Sequence, residues 1–276
     1  MNGDARVEIL IQIAPGYSPI AKNAGRVLEH SVECSLIRIE NVADFEVSKG
    51  QLIRVWPAHG ATEKDIEIFL FGPVWATLCH QRGMLPLHAS AIVTRGSIAA
   101  FAGHSGAGKS TIAASLGSLD YELVTDDILP VSFNHSVPGA WPYLRRLKLR
   151  RDSFVPLALK PTEPVSETLD KEKYFVRPKF AAYDKWSKLE RLYLLELDPT
   201  VSRLSIDQIT GAEAVRVLID QTYHFSFIVG SGRFRDHVAF CTQLASKIAV
   251  YHLRRSPSFG TGKELASLIG EHLENT

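Results

Sequence analysis

The run Gly103-His104-Ser105-Gly106-Ala107-Gly108-Lys109-Ser110-Thr111 constrains this chain more than any other stretch. It fills every fixed position of G-x-x-x-x-G-K-[ST], a pattern whose backbone must curl tightly between a strand and a helix. The flanks suit both. Ile98–Ala102 is short and wholly apolar, as a buried strand is, and Thr111–Leu116 is rich in helix formers. Gly103, Gly106 and Gly108 free the backbone so that successive N–H groups converge on an anion at a helix N-terminus. In such a loop Lys109 reaches the β- and γ-phosphates and the Ser110 hydroxyl ligates Mg²⁺, with His104, Ser105 and Ala107 at the variable positions. The pattern implies a nucleoside triphosphate bound along Gly103–Thr111.

The rest of the chain bounds what can surround that loop. Its 276 residues suffice for one large domain or two smaller ones with a sizeable core. A formal net charge of +1 gives no reason to expect a nucleic-acid partner. Cys34, Cys79 and Cys241 are odd in number, far apart and without a C-x-x-C pair, which argues against a disulfide framework or a zinc site and fits small core residues in a reducing cytosol. Met1–Arg6 lacks the basic and apolar regions of a signal peptide. The longest apolar stretch, Ile66–Cys79, contains Glu67 and Pro73 and is too short to cross a bilayer. We expect a cytoplasmic protein with no membrane partner.

Local patterns divide the chain. Val7–Ile13, Ser35–Ile39 and Leu52–Trp56 read as short strands, and residues 62–82 as a helix capped by Thr62 and ended by Gly83. Leu85–Val93 and Ile98–Ala102 read as a hairpin turning at Arg95-Gly96. That register sets Thr94 opposite Ser97 and His88 opposite Gly103, bringing an imidazole to the entrance of the loop. Glu122–Thr125, Leu189–Leu197, Leu204–Ile209 and Val250–Leu253 read as strands, and Gly211–Thr222, Phe234–Lys247 and Lys263–Leu273 as helices. Residues 130–161 look strand-like and 160–172 loop-like. The mixture predicts an α/β fold, with a small mixed N-terminal subdomain over 1–83 and the loop-bearing domain over 84–276.

Asp126-Asp127, at the end of the Glu122–Thr125 strand, is the second strong signal. Acidic residues there commonly hold Mg²⁺, and an adjacent pair allows one carboxylate to serve the metal while the other takes a hydroxyl proton. Burial and mutual repulsion would raise the pKa of one of the two. His88 is placed to orient the basic carboxylate. From Arg145 to Arg151 the chain carries five cations, with Leu147 and Leu149 alternating against Arg146, Lys148 and Arg150. A strand there is apolar on one face and basic on the other, suited to an acidic peptide or to phosphate. Arg145, Arg146 and Lys173 are candidate phosphate or substrate contacts, and Lys171, Lys173 and Arg177 could reach over the nucleotide. The chain lacks Asn-Lys-x-Asp, Leu-Ser-Gly-Gly-Gln, His-Arg-Asp and Asp-Phe-Gly, which argues against common GTPases, transport ATPases and protein kinases.

Leu87-His88-Ala89-Ser90-Ala91, the loop Gly103–Ser110 and Leu123-Val124-Thr125-Asp126-Asp127 together resemble the HPr kinase/phosphorylase family. The resemblance covers residues 84–130. It implies a P-loop kinase core of the type shared with phosphoenolpyruvate carboxykinase. It also implies ATP and Mg²⁺ as cofactors and phosphoryl transfer to serine. Asp126 would be the general base assisted by His88, Asp127 and Ser110 would hold the metal, and Lys109 would hold phosphate. The glycine-rich signature of true HPr kinases has no counterpart here, and residues 1–80 do not match that family's N-terminal domain. The layout looks closer to HPr-kinase-related proteins of peptide-modifying pathways, including kinases that phosphorylate the C-terminal serine of lasso-peptide precursors. We therefore expect a peptide or small-protein serine kinase, with a homo-oligomer compatible. Alternatives are a small-molecule hydroxyl kinase and a nucleotide-sensing module without transfer.

Overall fold

Alternation of buried and exposed side chains builds the first third of the molecule. The computed structural model describes residues 9–20, 28–144, 146–157, 159–166, 172–176, 185–257 and 263–275. Strands β1 (Leu10–Ile13), β2 (Leu28–Glu29), β3 (Cys34–Ile39), β4 (Ala43–Ser48) and β5 (Leu52–Pro57) form one sheet in the order β1-β5-β4-β3-β2. Ile37, Phe45, Val47, Ile53 and Val55 point to one face and are fully buried there. Helix α1 (Glu63–Phe69) begins at Thr62, whose hydroxyl accepts the Asp65 N–H at 3.2 Å. The expected single helix over 62–82 is interrupted by a π-helical turn at Leu70–Val74 before α2 (Trp75–Gln81). Pro73 is the cause: it has no N–H to donate and its ring displaces the preceding turn. Leu70, Val74 and Leu78 cover the sheet.

The second sheet carries the loop. Its strands are β6 (Leu85–Leu87), β7 (Ala89–Thr94), β8 (Ser97–Gly103), β9 (Glu122–Thr125), β10 (Leu129–Asn134) and β11 (Val137–Ala140), with three more given below. Helix α3 (Lys109–Gly117) follows β8. A third, small sheet pairs β12 (Leu147–Arg150), β13 (Glu163–Pro164) and β14 (Lys173–Val176), with the short helix α4 (Phe154–Leu157) between the first two. The second sheet resumes with β15 (Ser187–Leu197) and β16 (Ser205–Ile209). Then come α5 (Gly211–Asp220), α6 (Ser226–Gly230), α7 (Phe234–Ala245), the last strand β17 (Ala249–Arg255) and α8 (Lys263–Asn275). The β7–β8 hairpin has the register expected from its turn, Thr94 pairing with Ser97 and Ala89 with Ala102.

Long β15 lies between β8 and β17 and is parallel to both. β9 is antiparallel to β7, so it runs in the same direction as β8. The C-terminal ends of β8, β9 and β17 and the N-terminal end of β7 therefore share one edge of the sheet, where ligands of open α/β sheets bind. Period-two alternation along β8 supplies two cores. Phe101 joins Ile112, Leu116, Tyr193, Leu253, Leu265 and Ile269 beneath α3 and α8. Ala100 and Ala102 face Leu192, Leu218, Leu244 and Val250 beneath α5 and α7. The result is a mixed α/β fold with a large curled sheet covered on both faces.

Several expectations shift. The strand Ala43–Ser48 and the short helix α6 were not anticipated, and Val7 and Glu8 lie outside the described residues. Residues 130–161 hold strands β10, β11 and β12 but end in helix α4. Cys79 and Cys241 are buried, whereas Cys34 is exposed at the start of β3. No helix among the described residues is long and apolar enough to cross a membrane.

The first sheet and its helices grip the second through aromatic and polar contacts. Trp75 stacks on Tyr143 at 4.6 Å, and the Tyr143 hydroxyl donates to the Phe71 carbonyl at 3.2 Å. His80 stacks on Phe227 at 5.0 Å while its Nε2 lies 3.0 Å from the Tyr223 carbonyl. Burial holds the His80 imidazole neutral, with a pKa near 3 against an ordinary 6.5. A folded pKa below the unfolded value means that this contribution to stability is present above pH 6.5 and is lost as pH falls from there toward 3. Between pH 7 and pH 5 this histidine alone should reduce the free energy of unfolding by about 2 kcal/mol. His80→Gln retains an N–H for the carbonyl but cannot titrate, so its urea-unfolding profile should flatten over that range; an unchanged slope refutes the assignment.

Candidate active site

The loop leaves β8 at Gly103, where only glycine fits. Its φ is +143°, and a Cβ there would stand 2.6 Å from the Leu195 carbonyl oxygen. Gly106 and Gly108 also have positive φ, at 86° and 100°. α3 starts at Lys109, directly after Gly108. The Lys109 ammonium folds back over the loop, donating to the Gly103 carbonyl at 2.8 Å and lying 3.3 Å from that of His104. Burial lowers its pKa, opposed by the charges of Asp127 and Asp126. Ala107 is buried beneath the loop, and its carbonyl accepts from Arg255 Nη2 at 3.2 Å.

Asp126 is buried at the edge of the site. Ser90 Oγ and Ser110 Oγ donate to its Oδ1 at 2.6 and 2.8 Å, and the Lys148 N–H donates to its Oδ2 at 2.9 Å. Burial and the neighbouring Asp127 raise its pKa, against the pull of these three donors. Asp127 differs. It adopts φ +82°, rare for a residue with a side chain, and the resulting turn carries its carboxylate out into the cavity. There Oδ2 takes a 3.0 Å ion pair from Lys148 Nζ, and Oδ1 lies 3.7 Å from His88 Nδ1. Burial would raise the Asp127 carboxyl, but Lys148 and His88 outweigh it and hold the pKa below the ordinary value. His88 itself is neutral, its pKa lowered to about 4 by burial and then by Lys109.

This corrects the pairing anticipated from sequence. His88 stands beside Asp127, not behind Asp126. Strand geometry explains it: β9 pairs with β7 through Thr125 and Ala91, so the next carboxylate meets Ser90 of β7. Only the left-handed turn at Asp127 brings a carboxylate to the imidazole.

These groups line one cavity of about 950 Å³ with Ser105, Gly106, Gly108, Lys109, Ser110 and Thr111 from the loop and α3. Lys148, Arg150, Lys173 and Arg255 add positive charge to its walls, and Ile68, Phe69, Pro73 and Tyr223 add apolar surface. Arg150 also pairs with Glu172 at 2.7 Å. The alternation expected in the basic strand is present, since Leu147 and Leu149 are buried. Arg146, anticipated as a phosphate contact, instead pairs with Glu67 at 3.5 Å and lies over the Phe175 ring. It does not line the cavity. Arg145, Lys171 and Arg177 lie outside the described residues. His104 and Ser105 border a smaller neighbouring cavity.

Sequence reasoning missed four contributors. Ser90, on β7, sits two residues beyond His88, which stands at the bend between β6 and β7. Arg255 ends β17, at the same edge as the loop, and the apolar run before it was the available signal. Gln221 Oε1 accepts the Gly103 N–H at 2.8 Å, and its carbonyl accepts the His88 N–H at 2.8 Å. Tyr223 packs its ring 5.2 Å from His88. Nothing in the local sequence marks Gln221 or Tyr223; both arrive from the segment after α5 by tertiary folding.

The oxygens of Ser110, Asp126 and Asp127 suit Mg²⁺, which binds through one or two carboxylates plus substrate phosphates. No cluster of three His, Cys, Asp or Glu residues able to hold a metal occurs among the described residues, so a self-sufficient transition-metal site is not what this donor set suggests.

No protein-family model matches the chain, and no curated protein matches it in sequence. Among solved structures, the Hpr(Ser) kinase/phosphatase from Coxiella burnetii aligns with a TM-score of 0.37 and 12% identity, over 68% of this chain and 89% of that one. A likeness at that level fixes neither family nor activity.

The geometry of Gly103 predicts a graded response to substitution. Gly103→Ala should lower unfolding free energy by roughly 1–3 kcal/mol or more, since it adds a backbone clash to an unfavourable dihedral. Gly106→Ala meets no atom within 4 Å and should cost less. Urea denaturation of both variants tests this; equal losses would contradict the close approach to Leu195.

Proposed function

We propose that this protein is an ATP- and Mg²⁺-dependent phosphotransferase acting on a hydroxyl group, and that the acceptor is a serine of a peptide or small protein. We read residues 84–276 as the catalytic domain and 1–83 as a smaller subdomain against it. The observation that carries the reading is the Asp127 carboxylate, 3.7 Å from His88 Nδ1, in the same cavity as the loop lysine Lys109.

Backbone N–H groups at Gly106–Thr111 and the Lys109 ammonium bind the triphosphate. Ser110 and Asp126 hold Mg²⁺, which when bound neutralises charge on the β- and γ-phosphates. Asp127 accepts the proton of the attacking hydroxyl as its oxygen bonds to the γ-phosphorus and the bond to the β-phosphate oxygen breaks. His88 orients that carboxylate, and Lys148 and Lys173 balance charge around it. This exchanges the roles that the family resemblance gave to the two aspartates. Support comes from exposure: the Asp127 side chain is 30% exposed in the cavity, whereas Asp126 borders the same cavity but is 5% exposed and already takes three hydrogen bonds, one of them from Ser110. A nucleotide sensor needs the loop contacts but has no use for an imidazole-flanked carboxylate, which favours transfer.

Asp127→Asn should retain MgATP binding and lose transfer by about 10²-fold or more. Asp126→Asn should weaken Mg²⁺ binding first, read as a raised Mg²⁺ requirement. The reverse pattern would restore Asp126 as the base. Lys109→Ala should weaken ATP binding in calorimetry, and unchanged affinity would sink the nucleotide assignment.

A further inference from the structure

Two cavities meet at His88 and Tyr223, and their walls carry opposite chemistry. The larger, described above, has Lys109, Lys148, Arg150, Lys173 and Arg255 on its walls and the N-terminus of α3 at its floor. The smaller, of about 270 Å³, opens between His104-Ser105 of the loop and the segment Asp220–His224. Among the described residues no lysine or arginine lines it, and its one charged carboxylate is Asp220. Asp220 is also the last residue of the ten-residue helix α5, so the negative end of a helix dipole lies at this mouth.

The position of Lys109 orders the two mouths. Its ammonium lies 2.8 Å from the Gly103 carbonyl and near that of His104, and both residues border the smaller cavity. A loop lysine contacts the β- and γ-phosphates, so the γ-phosphorus lies at the junction and the rest of the nucleotide extends into the cationic cavity. In-line transfer requires the attacking oxygen on the side opposite the leaving β-phosphate oxygen. That side is the smaller mouth.

Resting on the phosphoryl-transfer reading above, we infer that the acceptor enters between His104-Ser105 and Asp220–His224, and that it is neutral or cationic around its hydroxyl. An anionic acceptor would face a carboxylate and a helix C-terminus there, with no lysine or arginine among the described lining residues to offset them. The basic strand β12 thus serves the nucleotide side, and an acidic peptide is disfavoured.

A charge-matched panel tests this: three peptides with one serine flanked by glycine, lysine or glutamate, together with glycerol, choline and glycerate. Each is incubated with the full chain and MgATP, and transfer is read by mass spectrometry while MgATP binding is followed by calorimetry. Neutral or cationic members should be phosphorylated at least ~10-fold faster than their anionic partners. Asp220→Lys should raise the KM of a cationic acceptor by about 10-fold and leave the MgATP dissociation constant within about twofold. Equal or preferred use of the anionic members overturns the inference and leaves the kinase reading standing. A changed MgATP affinity in Asp220→Lys places the nucleotide in the wrong cavity and also overturns it. MgATP binding without transfer to any panel member counts against the kinase reading itself, and this inference falls with it.

Discussion

The carboxylate of Asp126 is buried and must be satisfied, and the three donors that satisfy it come from β7, α3 and β12. A buried anion without partners costs several kcal/mol, so these elements cannot drift apart without exposing or neutralising it. The same contacts bring the start of the loop helix, the strand that follows His88 and the basic strand to one point. The paired aspartates, the loop and the cations are therefore one construction, held by polar satisfaction at its centre and by apolar packing beneath Phe101 and Ala102.

Electrostatics at that point are divided between two neighbours of identical chemistry. Asp126 is pushed toward the neutral form by burial and then by its neighbour, while Lys148 above all outweighs burial at Asp127 and lowers its pKa. The outward member is left charged, which is the state a proton acceptor needs at neutral pH.

Sequence patterns reveal those parts of the fold that depend on local rules. The β7–β8 register follows from a two-residue turn and period-two alternation, and the loop follows from glycine spacing. In β4 the buried Ala43, Phe45 and Val47 alternate with the polar Asp44, Glu46 and Ser48, a pattern legible in the sequence although the expected strands did not include it. The π-helical turn was foreshadowed only by Pro73. Within the site, His88, Lys109 and both aspartates were legible as candidates, but which aspartate meets the imidazole depends on a left-handed backbone at a residue that is not glycine. Gln221, Tyr223 and Arg255 reach the site from distant segments, and no local pattern records such an arrival.

The wall formed by Gln221–His224 has a second owner. On its far side His80 takes the Tyr223 carbonyl, Thr77 lies 3.1 Å from His224 Nδ1, and His30 packs edge-on against the His224 ring. The backbone that aligns the loop entrance is thus clasped from behind by α2 and the chain after β2. Residues before 84 are part of the frame of the candidate site. Recombining the loop-bearing half with a foreign N-terminal half would disturb the cavity wall even where every residue facing the nucleotide was preserved. Descent by shuffling of separate modules is correspondingly harder for a chain built this way.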